Sequence, residues 1–448
     1  MLDRVQKDSF RHGVHPPEHK DETRHLAIRR FPFAPELVVP LSQHLGKPAV
    51  PVVREGQEVA RGQTIAEADG YMSVAMHAPA SGVIRKIGLA PGISGDMVSS
   101  VYLKTTPASS QEVDDGESCD VATASADEII AAIQKAGIVG LGGAAFPTHV
   151  KLKAPEGKRL DTLIINGVEC EPYLTTDHRV MLEQTADIFM GIRYLLRATG
   201  ASEVIIAVEA NKQEAARKLR QDCPGDLPVS TRVCPVKYPQ GAEKLVIKSL
   251  LGLEVPSGGL PVDVHALCVN VATTAEIGRL LPRGRGIQER VITIGGPGIQ
   301  HKGNYRIPIG TTVRFALQET GAAKDISRVF LGGPMMGPAV SNLDIPITKG
   351  TSGITAFTTA ETGDATGHQK IYPCIHCARC VEACPLFLNP SHLGLLAKNE
   401  EYEQMAESFN LMDCFECGAC SYVCPSHIPL VQYFRLAKKM VRKLSASP

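Results

Sequence analysis

The chain has 448 residues, 44% of them hydrophobic and 21% charged, and its formal net charge is zero. This length allows several domains with sizeable cores. A nucleic-acid partner is not expected, because no excess of basic residues is available to neutralise phosphates. No segment approaches about 18 consecutive apolar residues, and residues 1–30 lack an apolar core, so we expect neither a membrane-spanning helix nor a signal peptide.

The first hundred residues predict an extended segment followed by a small β module. Residues 1–30 are polar, whereas residues 31–105 contain short apolar runs separated by glycine turns. Residues 55–66 look like the opening of a biotinyl/lipoyl-type flattened barrel. Such carriers need a lysine at a hairpin tip, and the corresponding turn at residues 69–73 has none. We therefore predict a structural or docking module.

A linker and a larger α/β domain follow. Residues 106–126 are rich in Ser, Asp and Glu without periodicity, which predicts a linker. In residues 127–288, apolar runs at 162–165, 204–208 and 231–233 alternate with helical patterns. This alternation predicts a mostly parallel sheet with helices on its faces, as in Rossmann-like domains.

The C-terminal third predicts two smaller units, which makes the whole chain a multidomain protein of the α/β and α+β classes. Residues 289–350 return to strand patterns, including a predicted strand at 312–316, and indicate a β-grasp-like (SLBB-like) module. Residues 351–370 are rich in Thr, Gly and Ala and predict a second linker. Residues 371–448 predict a domain of short helices. Its last helix is basic, and we expect it to be a solvated face or to dock onto an acidic partner or a membrane surface.

The first candidate site along the chain is a glycine-rich loop. Glycine lacks a Cβ atom, so Gly140, Gly142 and Gly143 let the backbone press against a flat ring or a phosphate. Lys151 adds a positive charge suited to a phosphate. A plain turn is the alternative, because the loop matches neither the dinucleotide-binding nor the phosphate-loop fingerprint.

The second candidate site is an acidic loop after a predicted buried strand. Asn166, Glu169 and Glu171 follow the apolar run 162–165, and ligands of open α/β sheets bind at the carboxyl ends of strands. The asparagine amide can donate to and accept from a heterocycle, and the carboxylates can accept from ribose hydroxyls or an amide. The alternative is a capped turn leading into the helix after Asp177.

The strongest pattern is a pair of four-cysteine runs near the C-terminal end. Each run reads C-x2-C-x2-C-x3-C-P, the spacing of bacterial two-cluster ferredoxins, in which the fourth cysteine of a run binds the other cluster. This spacing predicts two [4Fe–4S] clusters, one held by Cys374, Cys377, Cys380 and Cys424 and the other by Cys414, Cys417, Cys420 and Cys384. Zinc sites would leave the repeated C-P ending unexplained, and a disulfide framework suits a short secreted chain.

These motifs together carry a family resemblance. The chain resembles the RnfC family, the peripheral subunits of the Rnf electron-transport complex. It is more distantly similar to the flavin-binding NADH dehydrogenase subunit of respiratory complex I. The resemblance to RnfC covers nearly the whole chain, and its motifs beside the cysteine runs are residues 15–20, 140–148, 166–172, 238–243 and 270–273.

The resemblance implies a noncovalently bound FMN and an NADH site. The implied FMN contacts are Gly140, Gly142, Gly143, Lys151, Asn166, Glu169, Tyr238, Gly241, Glu243, Asn270 and Thr273. Glu171 is expected to face the nicotinamide nucleotide. The positions that depart from the complex I pattern are Leu141, Val168, Ala242 and Val269.

The resemblance also implies a function. We expect a peripheral electron-input subunit on the cytoplasmic face of the inner membrane, which passes electrons between NADH and the membrane subunits of an Rnf complex through FMN and the clusters. The complex would exchange these electrons with ferredoxin or flavodoxin and translocate Na+ or H+. Two alternatives stay open: a soluble microcompartment cobalamin reductase of the same superfamily, and an electron-relay binding module without a working nucleotide site.

Overall fold

The structure, a computed structural model, describes residues 9–107, 110–362 and 370–446. The strands are β1 (Arg29–Arg30), β2 (Glu36–Pro40), β3 (Val50–Pro51), β4 (Glu58–Val59), β5 (Thr64–Glu67), β6 (Met76–His77), β7 (Gly82–Pro91), β8 (Met97–Thr105), β9 (Thr162–Gly167), β10 (Glu203–Glu209), β11 (Val229–Cys234), β12 (Ala266–Asn270), β13 (Glu289–Gly295), β14 (Gly303–Pro308), β15 (Ile326–Leu331), β16 (Ala339–Val340) and β17 (Gly353–Thr358). The helices are α1 (Ala126–Lys135), α2 (Thr148–Leu152), α3 (Thr176–Glu183), α4 (Thr185–Thr199), α5 (Gln213–Gln221), α6 (Glu243–Leu251), α7 (Val271–Leu280), α8 (Val313–Glu319), α9 (Thr359–Thr362), α10 (Arg379–Ala383), α11 (Pro390–Lys398), α12 (Tyr402–Glu407), α13 (Ala419–Tyr422) and α14 (Leu430–Ala446). Parts of the predicted N-terminal segment (1–8) and of the predicted linkers (108–109 and 363–369) lie outside the described residues.

Two small antiparallel sheets form the N-terminal β module. One has the strand order β2-β8-β7-β4 and the other β3-β5-β6. Residues that alternate with exposed positions along these strands fill its core, among them Leu37, Ile65, Ile84 and Leu103, which are fully buried. The burial of one face of each short strand gives the module a core of its own.

The turn at residues 69–73 packs against the neighbouring domain. The Gln134 side chain on α1 donates hydrogen bonds to the carbonyl oxygens of Gly70 (3.1 Å) and Ser73 (3.0 Å). The Nε2 atom of His149 on α2 lies 2.7 Å from the carbonyl oxygen of Tyr71. A turn held in this way does not swing like the tip of a carrier domain, which favours the docking interpretation.

The central domain is built on a four-stranded sheet in which every pair of neighbours is parallel, as the sequence predicted. Its strand order is β11-β10-β9-β12. Both faces are buried, since Leu163 and Ile165 belong to one core and Ile164 and Ile205 to the other. Burial on both faces is typical of parallel strands covered by helices.

The third sheet is larger than predicted. It has six strands in the order β1-β14-β13-β17-β15-β16. The linker predicted at 351–370 is wrong over β17, which lies inside this sheet, parallel to β13 and antiparallel to β15. Ile354 and Ala356 of β17 are fully buried at alternating positions. The surrounding Thr and Gly residues obscured this two-residue period in the sequence.

The strand predicted at 312–316 is also wrong, because this stretch begins helix α8. Thr312 is the N-cap residue, and its side chain accepts a hydrogen bond from the backbone N–H of Phe315. Val313, Ala316 and Leu317 are the buried positions of the helix. Their spacing of three and four residues is helical, which a window of five residues could not distinguish from a strand.

The C-terminal domain consists of α10 to α14 and has a core of its own. The buried residues of this core include Leu393, Met405, Leu411, Phe434 and Ala437. Short helices in this domain alternate with the two cysteine runs. The predicted arrangement of short helices around the runs is therefore present.

The N-terminal segment connects the domains. The backbone N–H of Gly13 donates to the carbonyl oxygen of Ala383 in the C-terminal domain (3.2 Å). The backbones of Val14 and Tyr238 exchange hydrogen bonds of 2.8 and 2.9 Å. Further along, β1 pairs in parallel with β14 at the edge of the six-stranded sheet. The segment thus contacts three parts of the protein.

Lys349 joins the N-terminal module, the glycine-rich loop and the six-stranded sheet from a buried position. Its ammonium donates to the carbonyl oxygens of Ala75 (2.7 Å) and Gly137 (2.8 Å). Its backbone N–H donates to the side chain of Gln43 (2.9 Å). Burial lowers the pKa of Lys349 from its ordinary value of 10.5 to about 7.

The contribution of Lys349 to stability is expected to rise with pH. The unfolded chain keeps the lysine proton up to pH 10.5, whereas the folded protein releases it above about 7, so the stability increases between these values. We expect the melting temperature of the wild type to rise relative to that of Lys349→Met across this interval. The exposed Lys153 provides the control, since Lys153→Met should leave the difference flat. A flat difference for Lys349→Met as well would contradict the assignment.

Candidate functional site

The central sheet brings two of the predicted flavin segments together. Strands β9, β10 and β11 follow one another in one direction, and β12 then adds on the other side of β9. Open α/β sheets bind ligands at the carboxyl ends of the strands next to such a change of direction. Asn166 and Asn270 lie there as register partners on β9 and β12. The acidic loop and the segment beginning at Asn270 therefore share one crevice.

The glycine-rich loop borders the same crevice. The backbone N–H of Leu141 donates to Oγ1 of Thr273 at the start of α7 (2.9 Å). A Cβ atom on Gly142 would lie 2.8 Å from Nδ2 of Asn270, so this close approach requires glycine. Gly142 and Gly143 are exposed, and a Cβ atom on Gly143 would meet no atom within 4 Å. The loop thus presents bare backbone to open space.

Lys151 and Glu243 meet at the edge of the crevice. Lys151 lies on α2, which follows the loop after Gly140 donates its backbone N–H to the carbonyl oxygen of Phe146 (2.8 Å). Its Nζ atom lies 2.5 Å from Oε1 of Glu243, the first residue of α6. The side chains remain 30% and 36% exposed, so both are accessible to a ligand.

Asn166 holds the third predicted segment against the acidic loop. Its Nδ2 donates to the carbonyl oxygen of Gly241 (2.9 Å), and its Oδ1 accepts from the backbone N–H of Val168 (3.0 Å). A Cβ atom on Gly241 would lie 2.2 Å from the carbonyl oxygen of Val168. Glycine is thus needed at this contact too, and all four predicted segments border one crevice.

Glu169 has a structural position. Its carboxylate accepts hydrogen bonds from the backbone N–H groups of Asp177 (2.9 Å) and His178 (3.4 Å) in the first turn of α3. A carboxylate at this place satisfies free N–H groups and faces the positive end of the helix dipole. For Glu169 the structure therefore favours the capped turn, and contact with FMN stays a prediction.

Glu171 and Tyr238 lie between the crevice and the C-terminal domain. The Glu171 carboxylate accepts from the backbone N–H groups of Met335 (2.7 Å) and Met336 (3.1 Å). The hydroxyl of Tyr238 donates to the carbonyl oxygen of Cys417 (2.5 Å). Burial raises the pKa of both Glu171 and Tyr238. The nicotinamide-facing role of Glu171 stays a prediction, whereas its anchoring of the Met335 loop is direct.

Four cysteines from both runs line one cavity, and we call them the first ligand set: Cys374, Cys377, Cys380 and Cys424. Apolar side chains such as Ile375 and Leu395 complete the wall. Cys424 comes from the second run, so the chain crosses between the runs here as the ferredoxin spacing predicts.

The other four cysteines form the second ligand set: Cys384, Cys414, Cys417 and Cys420. Burial raises the pKa of Cys417 to about 12, and the charges of Cys414 and Cys384 raise it further. Cys417, Cys414 and Cys384 likewise raise the pKa of the Cys420 thiol after burial does. Mutual interaction at this strength places the four sulfurs in one group. Coordination to iron would deprotonate them, as metals do to thiols.

The two runs share one backbone conformation. Left-handed residues occur at matching positions, in the pairs His376 (φ 53°) and Glu416 (φ 62°), Ala378 (φ 59°) and Gly418 (φ 84°), and Phe387 (φ 56°) and His427 (φ 51°). Five of these six residues are not glycine, and this conformation is unfavourable for them. Its repetition indicates that the ligand geometry imposes the curl on both runs.

The zinc and disulfide alternatives do not fit this geometry. Within the described ranges, no group of three or more His, Cys, Asp or Glu side chains is placed to hold a metal ion. All thirteen cysteines are free thiols. Each cysteine of a [4Fe–4S] site binds a different iron, so its sulfurs do not converge on one point. The arrangement thus fits clusters better than single ions.

Comparison with known proteins decides the family. The RnfC barrel sandwich hybrid domain matches residues 8–107, the Nuo51 FMN-binding domain residues 133–279, and the 4Fe–4S dicluster domain residues 373–428. One component of the proton-translocating ferredoxin:NAD(+) oxidoreductase complex of Clostridium ljungdahlii is 40% identical over 431 residues, which cover 96% of this chain and 93% of that protein. The chain belongs to the RnfC family. The predicted family, FMN-binding domain and pair of clusters are thereby confirmed.

Other similar proteins agree with the RnfC assignment. The corresponding component of the Na(+)-translocating ferredoxin:NAD(+) oxidoreductase complex of Acetobacterium woodii is 37% identical over 98% of both chains. Some RnfC relatives are longer, and this chain spans 52% of the matching component of the ion-translocating oxidoreductase complex of Haemophilus influenzae. The crystal structure of an NAD+-reducing [NiFe]-hydrogenase in the H2-reduced state has a TM-score of 0.51 at 18% identity, covering 74% of this chain and 68% of that chain. That likeness concerns the fold alone.

The residues of this RnfC-family protein fit their cofactors. The exposed backbone of Gly142 and Gly143 beside the partly exposed ammonium of Lys151 suits the ring and phosphate of FMN. The two ligand sets supply four thiols each. Among the residues that the structure describes, every helix is too short or too polar to cross a bilayer.

Buried cations support the acidic loop, and sequence reasoning missed them. Lys20 donates to the carbonyl oxygens of Glu169 (2.6 Å) and Leu174 (2.7 Å). Lys212 donates to the same carbonyl oxygen of Glu169 (3.2 Å) and to the carboxylate of Glu209 (2.5 Å). Lys20 ends the motif at residues 15–20, which was the available signal. These two lysines fix the backbone from which the acidic side chains project.

Arg290 was also missed. It is fully buried, and its Nη2 atom donates to the carbonyl oxygens of Leu141 (2.9 Å) and Thr351 (3.3 Å). The glycine-rich loop is therefore fixed from beneath by Arg290 and from the side by Thr273. No periodic or motif signal in the sequence marks Arg290.

Proposed function

We propose that this protein is the peripheral electron-input subunit of a membrane Rnf complex. It passes electrons between NADH and membrane partners through FMN and two [4Fe–4S] clusters, as part of NADH:ferredoxin oxidoreduction coupled to Na+ or H+ translocation. The names of its relatives support the reaction class. The observation that carries the proposal is the hydrogen bond from Tyr238, in a flavin segment, to the carbonyl oxygen of the cluster ligand Cys417.

When bound, FMN accepts two electrons from NADH as a hydride and releases them singly, one to each cluster, in a reversible reaction. The protein supplies binding and orientation. The residues that would hold FMN in the crevice are Gly140, Gly142, Gly143, Lys151, Asn166, Tyr238, Gly241, Glu243, Asn270 and Thr273. Glu171 fixes the Met335 loop between the crevice and the C-terminal domain, which keeps the two sites adjacent.

We place the protein on the cytoplasmic face of the cell membrane, with the other Rnf subunits as its partners and with ferredoxin or flavodoxin reached through the complex. The N-terminal module supports a role within an assembly, since its turn at 69–73 is docked rather than mobile. The test is whether the native protein sediments with membranes and dissociates at high salt. Recovery in the soluble fraction at low salt would favour the cobalamin-reductase alternative.

We also propose the finer fold types. The central strand order supports a Rossmann-like domain, and the six-stranded mixed sheet with α8 supports a β-grasp-like (SLBB-like) module that extends through β17. The two curled runs support a ferredoxin-like helical domain, and the paired small sheets support a biotinyl/lipoyl-like module.

The electron-transfer function is tested with the full chain purified without oxygen. We expect flavin and two clusters per chain, and we expect NADH to bleach the flavin absorbance and produce the EPR signals of reduced clusters. Dithionite reduction serves as the control for cluster competence. Clusters that dithionite reduces and NADH does not would contradict the proposal and favour the electron-relay alternative.

A charge exchange tests the role of Lys151. Lys151→Glu places two carboxylates together in the position of the present ion pair, so we expect FMN retention to fall by at least about tenfold, or ~1.4 kcal/mol. Lys151→Glu combined with Glu243→Lys restores the ion pair. If Lys151 binds the phosphate, the double variant should keep its melting temperature but not its flavin. Full flavin recovery in the double variant would limit Lys151 to a structural role.

A further inference from the structure

The C-terminal domain contains an internal repeat that extends beyond the cysteines. Residues 374–398 and 414–438 align at a constant offset, so Cys374 corresponds to Cys414 and Lys398 to Lys438. Helices α11 and α14 begin at corresponding residues, Pro390 and Leu430. Each repeat therefore carries one lysine at the same place on the helix that follows its cysteine run.

The two lysines have different surroundings. Lys438 is buried, with 8% of its side chain exposed, and its ammonium donates to the carbonyl oxygen of Cys414. Its Nζ atom lies 3.2 Å from Oε1 of Glu416, and Arg435 donates to the other carboxylate oxygen at 3.1 Å. Two cations and one anion thus leave one positive charge beside the second ligand set.

The first repeat lacks this arrangement. His376 stands in place of Glu416, and Leu395 stands in place of Arg435. Lys398 is exposed at the rim of the cavity that the first ligand set lines. Water and salt screen an exposed charge, whereas a buried charge acts through a lower effective dielectric. The same residue type is therefore expected to act much more strongly in the second repeat.

We propose that Lys438 raises the reduction potential of the cluster held by the second ligand set relative to that of the first. Reduction adds one electron to a cluster that four thiolates already make negative, and a nearby ammonium stabilises the added charge. The hydrogen bond to Cys414 keeps the ammonium beside a ligand of that set. The cluster next to Tyr238 thereby becomes the better electron acceptor of the two, which orders the electron path.

This inference deepens the proposed function and requires that both clusters be present. The test is an EPR-monitored redox titration of the full chain with dithionite and mediators, after iron and sulfide content has shown two clusters. We expect Lys438→Met and Lys438→Gln to lower the equilibrium constant for reduction of one cluster by about tenfold, which is about 59 mV for one electron. The other cluster should not shift.

Two matched variants complete the design. Lys438→Arg keeps the charge and should restore most of the wild-type potential, and Lys398→Met should shift the cluster of the first ligand set by less than half as much. Lys438→Gln keeps a side-chain donor for the Cys414 carbonyl, which guards against loss of the cluster in Lys438→Met. The shifted cluster is assigned by its absence from Cys414→Ala protein.

Equal shifts in both clusters, no shift at full iron content, or loss of a cluster in both uncharged variants would overturn the proposal. An equal shift in Lys398→Met would overturn it as well, because burial would then not matter. The titration uses a chemical reductant. If NADH failed to reduce the clusters while Lys438→Gln still shifted one of them, the proposed function would fail and the role of Lys438 would stand.

Discussion

Replacing Cys384 with alanine is expected to remove the same cluster as replacing Cys414, although the two cysteines belong to different runs. Cys384 is buried together with Cys414 and Cys417, and their charges interact. Cys424 in turn lines the cavity of the first ligand set. Each substitution should lower the iron content by half, because a [4Fe–4S] cluster lacking one thiolate is not retained in a site of this kind.

The design compares four variants in pairs. The EPR spectrum of Cys384→Ala should match that of Cys414→Ala, and the spectrum of Cys424→Ala should match that of Cys374→Ala. Cys268→Ala, at a buried cysteine on β12 outside both runs, should keep both clusters. A match between Cys384→Ala and Cys374→Ala would show instead that each run binds its own cluster.

Gly142→Val is expected to abolish FMN binding while leaving both clusters in place. A Cβ atom at this position would lie 2.8 Å from Nδ2 of Asn270. That side chain cannot move aside, because its Nδ2 donates to Asp177 (2.8 Å) and its Oδ1 caps α7. Overpacking of this kind costs about 1–3 kcal/mol, so the affinity should fall about tenfold to a hundredfold or more once the second methyl group is counted.

Flavin content and iron content of the purified variant measure the effect. Gly225→Ala is the control, because a Cβ atom there meets nothing within 4 Å and its backbone is not left-handed. Both clusters of Gly142→Val should still be reduced by dithionite, since the cysteine runs lie in another domain. Flavin retained at the wild-type level would place FMN away from this loop.

The cluster ligands could be predicted from the sequence because the information is local. Three cysteines within seven residues determine how a short backbone presents its sulfurs, and the same spacing occurs twice. The paired left-handed residues, such as His376 and Glu416, show that local spacing and backbone conformation agree. The β module and the parallel sheet were predictable for a similar reason, since strand periodicity is visible over a few residues.

The roles of the charged residues were not predictable, because they depend on contacts between distant segments. Glu169 resembled a ligand-binding residue until α3 proved to begin beside it. Lys20, Lys349 and Lys438 are buried, and sequence alone favours exposure for lysine. Each of them donates to backbone carbonyl oxygens of another element, a partner type that carries no sequence signature.

The departures from the complex I pattern also depend on tertiary position. Leu141, Val168 and Val269 are all buried, so their side chains belong to the interior rather than to the open crevice. The flavin contacts of the loop come from its backbone, which these substitutions leave unchanged. The departures are therefore compatible with the confirmed FMN-binding domain.

Cys377 is the exposed residue among the eight cluster ligands. Oxygen and chelators attack an iron–sulfur centre where its ligands meet water, so exposure to air is expected to destroy the cluster of the first ligand set before its neighbour. Material handled in air would then hold a single centre, the one beside the flavin segment. Such protein would still reduce small dyes with NADH yet would have lost the terminal through which it exchanges electrons with larger partners.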